Sequence, residues 1–123
     1  MAKSSVHFIL KGGSDYKDLA PVFQDILMTV LEEADQVPEE EEFTMILNLN
    51  LDDLNQNRKP EGYIRKARAR IVFPLDRKEF YVQSYSPKVI HLDDLRSKIS
   101  KILDGASVKY DITEDDDIKF DLK

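Results

Sequence analysis

The sequence predicts an α+β domain in which a mainly antiparallel sheet carries two helices on one face, with elements in the order β-α-β-β-β-α-β-β. Three observations predict it. Apolar residues fall into short runs separated by polar turns. Two of those runs repeat at helical spacing while the others alternate. No interior stretch is rich enough in Pro, Gly or Ser to divide the chain, so residues 1–123 read as one domain. A ferredoxin-like arrangement is one candidate among several for this order.

The elements follow in turn. Val6–Leu10 is a short apolar run closed by Lys11-Gly12-Gly13-Ser14, a strand and a turn. Asp18 suits a helix cap, with Pro21 in the first turn and Leu19, Phe23, Ile26, Leu27, Val30 and Leu31 on one stripe ending near Glu33. After an acidic loop, Phe43, Met45, Leu47 and Leu49 alternate with Thr44, Ile46, Asn48 and Asn50, which predicts a half-exposed strand. Asp52–Gly62 reads as a polar loop, and Tyr63–Phe73 as a second long strand. Phe80–Tyr85 is a third strand, stopped by Pro87. His91–Leu103 is a helix, with Asp93 as cap and Gly105 as stop. Val108, Tyr110 and Ile112 alternate, as do Ile118, Phe120 and Leu122, predicting a closing hairpin around an acidic turn.

Composition removes several function classes. With 41% hydrophobic and 34% charged residues the chain is apolar enough to fold. It has no cysteine, which excludes thiol nucleophiles, disulfides and thiolate metal sites. Met1–Ser5 carries no signal-peptide pattern, and no apolar run approaches a membrane span, so the expected location is the cytoplasm, or the host cytoplasm for a viral protein.

Charge is distributed unevenly. Residues 1–57 hold three Lys against twelve Asp or Glu, a net of −9. Residues 58–78 hold eight basic and two acidic residues, a net of +6, within a chain of net −6. If residues 63–73 form one strand, Lys66, Arg68 and Arg70 line one face about 6.5–7 Å apart, close to the repeat of phosphates along an extended single strand. Ala67, Ala69, Ile71 and Phe73 then lie behind them. Arg58, Lys59, Arg77 and Lys78 flank this strand, and Tyr81 and Tyr85 on its neighbour are candidate stacking surfaces for unpaired bases. The same pattern also describes a solvated strand face, or an edge whose Lys and Arg discourage aggregation.

Other residues offer less. Asp52 and Asp53, or Asp76 and Glu79 with Lys78, are acids of the type that hold Mg²⁺, but their spacing matches no nuclease motif. His7 and His91 are the only histidines, and neither has a serine or carboxylate at a telling spacing. Lys11–Ser14 lacks the glycine spacing of a phosphate loop. The sequence implies no cofactor. The expectation is a small non-enzymatic nucleic-acid-binding protein for single-stranded DNA or RNA. The alternative is an acidic protein-interaction module or inhibitor, such as a bacteriophage accessory protein, that acts on a nucleic-acid enzyme. An exposed edge strand would also allow a homodimer.

Overall fold

The computed structural model describes residues 5–64, 68–75, 77–84 and 92–115. Among them are strands β1 (Ser5–Leu10), β2 (Ala69–Val72), β3 (Glu79–Ser84) and β4 (Tyr110–Asp115). The α-helices are α1 (Phe23–Glu33), α2 (Glu40–Asn55) and α3 (Leu92–Gly105), and a 3-10 turn spans Tyr16–Leu19. The strands form one antiparallel sheet in the order β2-β3-β1-β4. The molecule is therefore a mixed α+β fold with an antiparallel sheet. Its connectivity is compatible with the ferredoxin-like candidate, with α1 and α2 both lying between β1 and β2.

Alternation along the strands sorts the two sheet faces. Val6, Phe8, Leu10, Ala69, Ile71, Phe80 and Val82 belong to the same buried cluster as Phe23, Ile26, Leu27, Val30, Leu31, Leu95, Ile99 and Leu103 of the helices. The helices thus cover one face. Phe8 and Phe80 stack there, with ring centroids 5.0 Å apart. The opposite face presents Ser5, His7, Glu79, Tyr81 and Gln83, all of them buried.

Three sequence expectations change. Residues 43–50 are helical, not a strand, and form the middle of α2. Their alternation fits both periods, because Ile46 follows Met45. The helix buries Phe43, Ile46, Leu47, Asn50 and Leu54, a 3.6-residue stripe. Glu40, Glu41 and Glu42 in its first turn favour the helix, since their charge complements the N-terminal dipole. The expected loop at Asp52 consequently begins later, after Asn55.

Residues 63–73 are not one strand. Tyr63 N–H donates to Ile71 O at 2.8 Å, and Ile71 N–H donates to Tyr63 O at 2.9 Å. In a single extended strand these residues would stand about 26 Å apart. The chain therefore reverses between them, and only Ala69–Val72 joins the sheet, against β3. The first helical segment is also divided. Asp15, not Asp18, caps the 3-10 turn, with Asp18 as its reciprocal capping-box partner, and α1 starts at Phe23 beyond Pro21. The strand expected from Val108, Tyr110 and Ile112 is β4, and it lies beside β1. Ile118–Leu122, the other arm of the expected hairpin, lies outside the described residues, as do His91 and Pro87.

Candidate functional site

The described basic residues do not line one strand face. Arg68 is exposed, but its backbone N–H donates to Gln36 Oε1 at 2.9 Å and its guanidinium to Ala34 O at 3.1 Å. It therefore binds the C-terminal end of α1, where a cation complements the helix dipole. Arg70 lies half-buried on the sheet face away from the helices, opposite Gln83. Arg58 pairs with Asp53 at 2.9 Å, and Lys59 Nζ donates to Pro60 O. Arg77 lies 3.4 Å from Glu79, and Lys78 lies 2.7 Å from Asp15. Tyr81 is 9% exposed and stacks on His7 with centroids 4.5 Å apart, so its ring is not an open platform for a base. Lys66, Asp76 and Tyr85 lie outside the described residues.

Some of these residues do converge, at the end of the sheet beside the 3-10 turn. Asp15 accepts from Lys78 Nζ at 2.7 Å and from Asn57 Nδ2 at 3.3 Å, which joins the segments before β3 and after α2. The Lys78 hydrogen bond is the main cause holding the Asp15 carboxyl below its ordinary value of 3.8. Burial raises the neighbouring Tyr16 phenol above its ordinary range, and its hydroxyl donates to Arg77 O. These contacts pin loops together by pairing the cations with protein groups.

A second constellation has no sequence signature. Ser5 Oγ lies 3.1 Å from His7 Nε2, and His7 Nδ1 lies 2.7 Å from Glu79 Oε2. Hydroxyl, imidazole and carboxylate in that order are the parts of a nucleophile–base–orienter relay. Two facts argue against that chemistry here. Ser5 is 1% exposed, which bars a substrate from its hydroxyl. Ser5 also faces Gln83 on one side and Asp115 on the other, which places it between two strands of the sheet. The arrangement is a buried polar network. Ser5 and His7 share a strand face at period two, but Glu79 reaches them only through the β1–β3 register, which no spacing along the chain reveals.

The third feature is the outer face of α2. The helix packs chiefly against α1 and the 3-10 turn, leaving one side open. Met45 and Leu49, one helical turn apart on that side, are 52% and 55% exposed. Ile64, at 47%, is exposed nearby. Leu49 divides two shallow concavities, one lined by Met45, Leu51 and Asp52, the other by Glu61, Tyr63 and Ile64. Leu49 thereby makes the three side chains one apolar patch. A scattered exposed leucine is ordinary, whereas a contiguous patch with a polar rim marks an interaction surface. The α2 side of the patch is acidic, because that helix contains Glu40, Glu41, Glu42, Asp52 and Asp53 and no Lys or Arg.

The second concavity is fixed in place by Asn50. This buried side chain accepts from Gly62 N–H at 2.6 Å and donates to Gly62 O at 3.2 Å and Ile46 O at 2.9 Å. Sequence reasoning missed the patch because it placed Met45 and Leu49 on the inner face of a strand. The signal that finds it is the helical stripe, which leaves both residues on the outside.

Among the described residues no cluster of three or more His, Asp or Glu is arranged to hold a metal, and no helix is long and apolar enough to cross a membrane. No family model, curated protein or solved structure matches the chain.

Proposed function

We propose that this protein is a non-enzymatic protein-interaction module whose recognition surface is the outer face of α2. The observation that carries the reading is the half-exposed patch of Met45, Leu49 and Ile64 beside the acidic helix α2. Each of these side chains regains on the order of 1 kcal/mol when a partner covers its exposed half. Nucleic-acid contact is supported less well. Phosphate binding draws on cations that can leave their present partners, and Arg58, Arg77 and Lys78 are already ion-paired.

Site-specific photocrosslinking in an extract of the source cells tests this. A photoreactive residue at Asn48, exposed on the outer face of α2, is expected to capture a protein, while one at Lys101, exposed on α3, captures none. Anisotropy of labelled single-stranded DNA and RNA is expected to stay flat at low salt. Salt-sensitive binding to either strand, with position 48 capturing nothing, would overturn the proposal and restore nucleic acid as the ligand.

A further inference from the structure

Resting on that reading, we infer that the partner presents a basic amphipathic helix to α2. Two properties of the surface select it. The first is shape. Leu49 stands as a ridge between two concavities, so a complementary segment needs apolar side chains on both sides of it. Residues three or four apart on a helix provide such a pair, about 5–6 Å apart on one face. The second is charge. Glu41 lies one turn before Met45, Asp52 lies one turn past Leu49, and Glu61 lines the far concavity. Lys and Arg flanking the apolar stripe of the incoming helix meet these carboxylates at the rim, where they speed association and fix orientation. A second copy of this chain is a poor occupant, since its own α2 brings the same acidic charge to the same place.

The test uses the whole chain, ¹⁵N-labelled, titrated with three synthetic peptides of about 14 residues, or four helical turns. The first carries Leu at helical spacing with Lys on its other faces. The second has the same composition scrambled, so that its leucines no longer share a face. The third replaces Lys by Glu. The first peptide alone is expected to shift the amides of Met45, Asn48, Leu49, Asp52, Glu61 and Ile64. Its affinity is expected to fall about tenfold in Leu49→Ser or Met45→Ser, and to fall again at high salt. Both positions are exposed, so each variant is expected to melt with the wild type.

Equal shifts from the scrambled or acidic peptide overturn the basic-helix partner while leaving the surface as an interface. Shifts confined to other acidic surfaces, or no shift at all, overturn the inference, and the crosslinking result then decides the wider proposal alone. Concentration-dependent shifts without peptide, abolished in Leu49→Ser, assign the surface to a second copy and overturn it as well.

Discussion

Tyr63 and Ile71, eight residues apart, each donate a backbone hydrogen bond to the other's carbonyl, at 2.8 and 2.9 Å. That pairing depends on Gly62. Its φ is +79°, and a Cβ there would stand 2.3 Å from Ile71 O. Gly62→Ala is expected to lower unfolding free energy by at least about 2 kcal/mol, since it combines left-handed strain with a backbone clash. Urea unfolding checks this, and a loss under 0.5 kcal/mol, about the size of a neutral surface change, would contradict it.

Asn50 holds the same turn from the α2 side through both polar groups of Gly62. Asn50→Ala leaves a buried N–H without its acceptor and is expected to destabilise by about 1–3 kcal/mol. The effect on the Gly62→Ala background is expected to be smaller, because the two sites share one interaction. A double-mutant cycle from urea melts measures it.

Glu79 is 1% exposed and lies within 3.4 Å of both His7 and Arg77. Removing it strands the buried His7 ring nitrogen, while Arg77 is exposed to water, so Glu79→Ala is expected to cost about 1–3 kcal/mol. Ser5→Ala removes one side-chain hydrogen bond, at about 1 kcal/mol. Both are stability effects. A serine-directed fluorophosphonate is expected to leave Ser5 unmodified in the folded protein, which mass spectrometry reads directly.

Asp15 gives acid stability a definite sign. Its folded carboxyl titrates below 3.8, mainly because Lys78 donates to it, whereas the unfolded carboxyl keeps its ordinary value. The folded state thus binds the proton less readily. The Asp15 contribution is complete above about pH 5 and is lost as pH falls through the folded pKa. Lys78→Ala is expected to move the Asp15 pKa upward and to flatten this part of the acid denaturation curve. Carboxyl ¹³C titration by NMR follows the residue itself.

Arg68 is expected to act on stability rather than on binding. Arg68→Ala loses the 3.1 Å bond to Ala34 O and the favourable charge at the end of α1, about 0.5–1 kcal/mol together. Thermal melting should record that loss, with single-strand binding unchanged. A fall in nucleic-acid affinity at constant stability would return Arg68 to a phosphate-contacting role.

Local pattern made much of the scaffold legible. β1, β3 and α3 follow from short alternating or helical runs whose neighbours are turns, as does the stripe of α1. Residues 43–50 defeated the same reasoning because their apolar residues satisfy both periods. Packing Ile46, and not Met45, against the core selects the helix, and that choice turns Met45 and Leu49 outward into the candidate site.

The sequence by itself determined the α+β class, the absence of thiol chemistry and the placement of most apolar stripes, because each depends on composition or on contacts a few residues apart. Tertiary structure alone decided the reversal at Tyr63, the meeting of Ser5 and His7 with Glu79, and the commitment of Arg68 to α1. The physical reason is common to all three. Each rests on hydrogen bonds between groups whose separation is fixed by sheet register and helix packing, and period along the chain carries no information about either.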